Sequence, residues 1–181
     1  MGYVLVGIGL GTYLGCYGGL FHLLNHALYK SLLFMCVGAV IYATGVRRIA
    51  ELGGLRKQMP ITSACFLLGA LAIAGFPPLN GFWSKLTVYL ALARAGMWWA
   101  AVIAILTSIL TMVVMLRAGY RVFWGEPRSS GTSVLAAREV PALMWVPMVV
   151  LAAMCGLLGI WPQGPYPLLD RAAKVLATLG R

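Results

Sequence analysis

Long apolar segments separated by short polar ones make up most of this chain. The apolar segments cover about 3–20, 21–44, 61–76, 82–95, 98–124 and 141–161. Several approach or exceed the roughly 20 residues that an α-helix needs to cross a bilayer. Runs such as 98–116 lack the alternation of apolar and polar positions that a barrel strand requires. The pattern predicts an all-α, polytopic transmembrane bundle of about six helical segments.

Small residues recur in the first predicted span. Gly7, Gly11, Gly15 and Gly19 stand four residues apart, a spacing that lines them along one face of a continuous helix. Glycines on one face let a neighbouring helix approach closely in lipid. We therefore interpret this stripe as a packing surface.

A proline and glycine break interrupts the apolar region 61–95. Pro77 and Pro78 remove two backbone donors and Gly81 follows them, so a continuous helix cannot pass. The pieces on either side are each about 22–24 Å long at 1.5 Å per residue, which is short for a full crossing. They are either two tilted short helices or the halves of one discontinuous element.

The tail differs from the rest of the chain. Residues 1–162 form the predicted transmembrane domain, and 163–181 the predicted amphipathic tail. Within 166–181, one side of a helix would carry apolar residues and the other mostly charged ones. The apolar members are Leu168, Leu169, Ala172, Ala173, Leu176 and Leu179. This pattern is typical of a short helix lying on a membrane surface.

Composition agrees with a membrane protein and excludes other classes. Hydrophobic residues make up 61% of the chain and charged residues 10%, whereas soluble domains carry about 25% charged residues. The net charge of +10 does not indicate nucleic-acid binding, because the basic residues sit at span ends and in loops. The four cysteines stand singly in apolar segments, which predicts neither a metal site nor a disulfide framework. No cofactor is predicted.

Three ionisable residues share one stripe of the second predicted span. His22, His26 and Lys30 are spaced by four, so each step turns about 40° and rises about 6 Å. A lysine at the bilayer centre costs roughly 2.5–3.5 kcal/mol and should face protein or water. The stripe predicts a path on which protons move through waters. Two alternatives stay open: His22 could be an interfacial residue, and Lys30 could extend from a span end. One helix face cannot clamp a haem iron from both sides, which disfavours a haem site.

Lys85 follows the break and begins the resumed helix. Breaks at membrane depth are tolerated beside a cavity or within protein, and they recur at ion sites of transporters. We therefore add Lys85 to the predicted proton path. The alternative is a lysine that anchors a helix end at the interface.

Basic residues give a weak indication of orientation. If 61–76 and 82–95 cross separately, eight basic residues lie on the side of loop 45–60 and four on the other. The larger group marks the cytoplasmic side, and this count changes if the region crosses once.

Three motifs resemble one known family. They are HLLNHALYK at 22–30, GGLRKQMP at 53–60 and GFPPLNGFWSK at 75–85. In this order and spacing they are similar to the antiporter-like membrane subunits of respiratory complex I, Mrp-type cation/proton antiporters and membrane-bound hydrogenases. The turn 123–127 and the Trp161-Pro162 ending look most like the D-type Mrp subunit. A lysine at Lys85, where some complex I subunits carry a glutamate, agrees with that choice.

The resemblance implies a function and a setting. In such subunits the helix-borne histidines and lysine form a central hydrophilic axis, and the residue at the broken helix passes protons to one face. It also implies a multi-pass protein of a bacterial or archaeal plasma membrane, with the lipid bilayer and other membrane subunits as partners. The chain is not expected to be catalytic by itself, since no redox-cofactor signature is present.

The chain departs from the family in its extent. Full subunits hold about fourteen helices in two inverted repeats, and this sequence matches only the C-terminal part. We expect a truncated product or fragment, or a split subunit completed by a neighbouring chain that supplies the N-terminal helices. Alone it would provide at most one half-path. The alternative function is a non-conducting structural subunit of such a complex.

Overall fold

Every regular element in the described residues of the computed structural model, 1–126 and 137–179, is helical. The α-helices are α1 (Gly2–Gly9), α2 (Tyr13–Thr44), α3 (Pro60–Ala74), α4 (Asn80–Arg94), α5 (Trp98–Gly119), α6 (Ala142–Ile160) and α7 (Tyr166–Leu179). Short 3-10 turns cover Ile49–Glu51 and Leu55–Lys57, and a π-helical turn, Tyr120–Trp124, extends α5. Three helices, Tyr13–Thr44, Trp98–Trp124 and Ala142–Ile160, are long and apolar enough to cross a membrane. The predicted all-helical membrane fold is confirmed. Most of the predicted loop 125–140, including Pro127, lies outside the described residues.

The predicted boundary between the first two spans is wrong. Residues 13–44 form one helix of 32 residues, about 48 Å long, and the chain breaks earlier. Gly11 has a φ of 61°, which glycine adopts without strain and which ends α1. Thr12 then caps α2, because its hydroxyl accepts a hydrogen bond from the Gly15 N–H at 3.2 Å. Polar His22 does not end a helix, since its side chain finds partners inside the bundle.

The glycine stripe therefore joins two helices and does not line one. Gly7 lies on α1, whereas Gly15 and Gly19 lie on α2. A Cβ at Gly7 would stand 2.9 Å from the Cα of Gly19 and 2.8 Å from the carbonyl oxygen of Gly15. Only glycine permits this approach of the two backbones. The predicted packing role holds, and the predicted single helix face is corrected.

Helices α3 and α4 make one discontinuous crossing antiparallel to α2. The contacts advance along α2 while they retreat along the other pair: Gly18 with Val88, His22 with Ser84, Asn25 with Asn80, and Leu33 with Gly69. Helix α5 returns antiparallel to both halves, touching Lys85 near its middle at Ser108 and Phe66 near its end at Gly119. Of the two sequence alternatives, the structure has the discontinuous element.

The break itself depends on two glycines. Gly75 has a φ of 83° and its N–H donates to the Ala72 carbonyl, while the Phe76 N–H donates to the Leu71 carbonyl at 3.0 Å. This pair of bonds is a Schellman ending. A Cβ at Gly81 would overlap the carbonyl of Ala72, so α4 can begin this close to α3 only with glycine there.

A carboxylate supplied by a distant segment caps the start of α3. Glu139 accepts hydrogen bonds from the backbone N–H groups of Ile61 (2.8 Å) and Thr62 (3.2 Å) and from the Thr62 hydroxyl (2.6 Å). A negative charge there also opposes the positive end of the helix dipole. This contact holds the segment before α6 against the same core as α3.

Helix α7 packs on the first turns of α2. Leu169 and Ala173 are buried, and the Tyr13 hydroxyl donates to Asp170 at 2.5 Å. The ammonium of Lys174, 2.8 Å away, and the Tyr13 hydroxyl both hold the pKa of the Asp170 carboxyl below its usual range. Leu168 points away from α2 and is exposed. The apolar residues of the tail therefore do not all pack on the bundle. The division of the chain at residue 162 stays a prediction.

Substituting Gly81→Ala is expected to destabilise the fold by at least about 1–3 kcal/mol, the usual cost of overpacking, because the new methyl meets backbone. The matched control is Gly156→Ala on α6, where an added Cβ meets nothing within 4 Å. The control should be neutral or stabilising by up to about 1 kcal/mol. Thermal unfolding of the detergent-solubilised protein measures both. Equal midpoints for the two variants would contradict the close approach at the break.

Candidate functional site

Lys85 lies at the centre of the break. Its side chain turns back from α4, and Nζ donates to the carbonyls of Ile73 (2.8 Å) and Ala74 (3.1 Å) and to the hydroxyl of Ser108 (2.9 Å). The two carbonyls are the last of α3, which have no acceptor role left within the helix and carry its partial negative charge. Nζ also stands 5.2 Å from the centre of the Tyr3 ring. At 4% exposure, Lys85 does not have the position of an interfacial anchor.

Ser108 on α5 contacts three polar groups from two other helices. Its Oγ lies 2.9 Å from Lys85 Nζ on α4, 2.6 Å from the Tyr89 hydroxyl on α4 and 2.7 Å from the Tyr3 hydroxyl on α1. Thr107 lies beside it, with its hydroxyl 2.9 Å from that of Tyr3. A hydroxyl both donates and accepts, so this group of side chains can transmit a proton as well as bind one.

His22 is buried on the other side of the same region. Its Nδ1 lies 3.0 Å from the Ser84 hydroxyl and its Nε2 lies 3.3 Å from the Tyr29 hydroxyl. Its ring centre is 5.1 Å from that of Tyr3. With 1% exposure, His22 is not an interfacial residue. Tyr3 therefore contacts both His22 and Lys85.

Two asparagines join α2 to the start of α4. Asn80 donates from Nδ2 to Asn25 Oδ1 at 3.0 Å, and Asn25 donates from Nδ2 to the Asn80 carbonyl at 3.2 Å. Both side chains are fully buried. This reciprocal pair fixes the position of the second half of the broken element relative to α2.

The predicted stripe on α2 is divided by the structure. His26 is half-buried, with its ring 5.4 Å from that of Tyr29 and 6.1 Å from that of His22. Lys30 is also half-exposed, and its contact among the described residues is with the Phe34 ring, 5.2 Å from Nζ. The structure thus brings His22 and Lys85 together around Tyr3, places His26 at the flank and leaves Lys30 apart. Their roles in proton transfer stay predictions.

The sequence interpretation did not identify several polar residues of this site, among them Tyr3, Ser84, Tyr89 and Ser108. Ser84 precedes Lys85 directly, and Ser108 lies within an apolar run. The signal that could have found them is general: a hydroxyl inside an apolar span needs a partner there. Nothing in the sequence says which partner, because that depends on how α1 and α5 meet α4.

Comparison with known proteins decides the family. Residues 1–111 match the model of the family described as NADH:quinone oxidoreductase/Mrp antiporter, TM. The chain belongs to this family. The predicted resemblance is therefore confirmed.

Individual relatives and solved structures also match this chain. The chain is 40% identical to F(420)H(2) dehydrogenase subunit L of Methanosarcina mazei over 84% of its own length and 24% of that protein. The Mrp complex of Dietzia sp. superposes with a TM-score of 0.85 at 28% identity, covering 99% of this chain and 40% of that one. Respiratory complex I of Thermus thermophilus superposes with a TM-score of 0.86 at 27% identity, covering 99% and 37%.

These relatives set the scale of the chain within the family. It spans between about a quarter and two fifths of the length of these three proteins. They are subunits of multisubunit membrane complexes, and the membrane-subunit character predicted from the motifs is confirmed. Relatives of this kind are consistent with proton or cation translocation.

The asparagine pair should be energetically coupled. Asn25→Leu leaves the Asn80 Nδ2 group without its Asn25 partner in the core, which costs about 1–3 kcal/mol, and replacing both asparagines costs less than the sum of the single changes. Unfolding of Asn25→Leu, Asn80→Leu and the double variant in detergent measures this coupling. Losses that add without remainder would show that the pair is not coupled.

Proposed function

We propose that this chain provides a proton path, or a cation/proton path, within a membrane subunit of an Mrp-type antiporter, an NADH:quinone oxidoreductase or a hydrogenase complex. The observation that supports this most is the environment of Lys85. The amine is buried at the break of a discontinuous helix, and its partners among the described residues are two carbonyls, a hydroxyl and an aromatic ring, all neutral.

A buried ammonium without a counter-charge is suited to gaining and losing a proton. Its charged form is stabilised only by dipoles, and the burial of an uncompensated charge is costly. Such a lysine exchanges protons more readily than one held by a carboxylate. A structural role for the helix break needs donors for two carbonyls, and a neutral amide side chain could supply those. The presence of a titratable lysine at the break, where a neutral amide would suffice for structure, favours a role in transport over a purely structural role.

His22 is the next proposed station. Its imidazole is hydrogen-bonded to Ser84, the residue before Lys85, and its ring packs on the Tyr3 ring that also faces the Lys85 amine. A neutral imidazole donates a hydrogen bond through one ring nitrogen and accepts one through the other. We propose that protons reach Lys85 from His22 through water, with His26 farther along the same face of α2.

Lys30 requires a neighbour from outside the described residues. It lies near the middle of α2, and the exposed residues Leu23, Ala27, Phe34 and Val37 surround it on the same helix. A lysine at this depth must face protein or water. We propose that a further membrane helix, from another part of the subunit or from an adjacent one, covers this face and offers Lys30 a polar or acidic partner.

The single crossing of α3 and α4 sets the distribution of basic residues. Among the described residues, the basic ones on the side of loop 45–59 are Arg47, Arg48, Arg56, Lys57, Arg117, Arg121 and Arg138. Those on the other side are Arg94, Arg171 and Lys174. The richer side marks the cytoplasm. We propose a multi-pass plasma-membrane protein of a bacterium or archaeon whose loop 45–59 is cytoplasmic.

Lys85→Ala is expected to lower ion-coupled proton transport by about tenfold or more, which corresponds to about 1.4 kcal/mol in a barrier. The reason is that, within residues 1–126 and 137–179, no second buried amine lies at the break. Transport is measured with a pH-sensitive fluorescent dye in inverted membrane vesicles that contain the chain with its partner subunits. Rates are expressed per assembled complex, and Na⁺ and K⁺ are compared as the exchanged cation.

The matched control is Lys57→Ala, which removes an exposed lysine from the loop and should leave transport unchanged. The scaffold alternative makes the opposite prediction for the site. If the complex assembles and transports at the wild-type rate with both Lys30 and Lys85 replaced by alanine, the chain is structural and the proposed function is wrong.

The covered face can be tested separately by labelling. Lys30→Cys should be protected from a membrane-permeable maleimide when partner subunits are present and become reactive when they are removed. Leu143→Cys, at a position 89% exposed at the start of α6, serves as the accessible reference. Equal reactivity of Lys30→Cys with and without partners would count against a helix on this face.

A further inference from the structure

When Lys85 is charged, the hydrogen bonds around Ser108 can all run in the direction from Lys85 to Tyr3. The ammonium can only donate, so Ser108 accepts from it. At the other end the Ala104 carbonyl can only accept, and the Tyr3 hydroxyl donates to it at 2.5 Å. Tyr3 has then used its proton, so Ser108 must donate to Tyr3 across their 2.7 Å separation. Tyr89 must donate to Ser108, which fills the second lone pair of Ser108.

Thr107 extends this chain without reversing it. Its hydroxyl donates to the Ala104 carbonyl at 2.8 Å and lies 2.9 Å from the Tyr3 hydroxyl. Tyr3 can therefore turn its proton from Ala104 to Thr107 and still accept from Ser108. In either arrangement the O–H groups point away from Lys85 and towards Thr107.

The chain of hydroxyls ends at a cavity. Tyr3, Ala104 and Thr107 line a space of about 680 Å³ between α1 and α5. Trp99 and Ile103 on the same wall are 65% and 53% exposed, so the space is open to the surroundings. Met97 and Trp99 place it towards the end of the bundle where α5 begins, opposite the loop 45–59. Met1 and Gly2 also line it, and the rest of the wall is mostly apolar. The Tyr3 and Thr107 hydroxyls are points on this wall where water can bind.

We propose that Ser108, Tyr3 and Thr107 form a hydroxyl relay through which Lys85 releases its proton to water in the cavity between α1 and α5. The relay deepens the proposed function, since it rests on Lys85 as a proton carrier. It names the exit side of that residue and the atoms that the proton crosses.

The transfer balances as a set of coupled hops. An N–H bond of Lys85 breaks as a new O–H bond forms on Ser108, whose former proton passes to Tyr3. Before the transfer, Tyr3 turns its O–H from the Ala104 carbonyl to Thr107, and Thr107 turns its O–H from that carbonyl to a water molecule in the cavity. The former proton of Tyr3 then passes to Thr107, and the former proton of Thr107 passes to that water. Lys85 is left as a neutral amine and the positive charge resides on the water. Each hydroxyl then points back towards Lys85, and rotation of the three C–O bonds restores the starting state.

Tyr89 also belongs to the network around Ser108. Its hydroxyl lies 2.6 Å from that of Ser108, and its side chain lines a second space, of about 230 Å³, that Lys85 and Ser108 also line. Release of the proton from Lys85 straight into that second space is the rival of the relay, and it needs neither the Ser108 nor the Tyr3 hydroxyl.

The decisive variants are Ser108→Ala and Tyr3→Phe, assayed in the inverted membrane vesicles described above with the full complex. Each removes one hydroxyl, and Tyr3→Phe keeps the ring that packs on His22 and Lys85. We expect the transport rate per assembled complex to fall about tenfold or more in both. Ser108→Thr, which keeps the hydroxyl but adds a methyl, should restore most of the rate, a result that a packing role would not produce.

One control removes a hydroxyl elsewhere. Thr87→Val deletes a hydroxyl whose hydrogen bond, among the described residues, goes to the Trp83 carbonyl of its own helix, and this variant should transport normally. The relay is overturned if Ser108→Ala and Tyr3→Phe transport at the wild-type rate while Lys85→Ala does not. If Lys85→Ala itself transports normally, the proposed function fails instead, so the two failures are distinguishable.

Discussion

The last carbonyls of α3 end inside the bundle, and they must find hydrogen-bond donors there because lipid offers none. The chain meets this requirement in two ways. Gly75 and Phe76 turn their N–H groups back onto α3, and the ammonium of Lys85 donates to the two carbonyls that remain, those of Ile73 and Ala74. A break at this depth would be costly without such donors. The end of α3 therefore determines where the positive charge of Lys85 lies.

The surrounding helices are arranged by this break. Glycine is needed on α4 at Gly81 so that its backbone can pass the Ala72 carbonyl, and on α6 at Gly159, where a Cβ would overlap the Pro78 carbonyl. The Trp83 indole donates to the Gly159 carbonyl at 2.7 Å, which ties α4 to the end of α6. The asparagine pair ties α4 to α2 in the same layer. Close backbone contacts and polar pairs take the place of a hydrophobic driving force, as expected for helices in lipid.

The same constraint explains why the described partners of the Lys85 amine are two carbonyls, a hydroxyl and an aromatic ring. Helix carbonyls and hydroxyls stabilise an ammonium through dipoles, and unlike a carboxylate they do not hold it permanently charged. Ser108 adds a group that can exchange donor and acceptor roles, and Tyr3 places a second one between α1 and α5. In the proposed function, a site built this way holds a proton and releases it without moving a helix. Lys30 lies outside this arrangement, and its polar environment depends on protein beyond the described residues.

The sequence by itself determined the membrane class, the broken element and the family, because each depends on local composition or on short motifs. Apolar length, the two prolines and the spacing of His22 and Lys85 are readable one segment at a time. It did not determine that α2 begins at Tyr13, since a polar histidine inside an apolar run looks the same at a span end as in a buried contact. It also left open whether 61–95 crosses once, which depends on the register of α3 and α4 along α2. Only the tertiary structure brought Tyr3 and Ser108 to Lys85, because a hydroxyl in an apolar helix acquires its partner from the packing of helices distant in sequence.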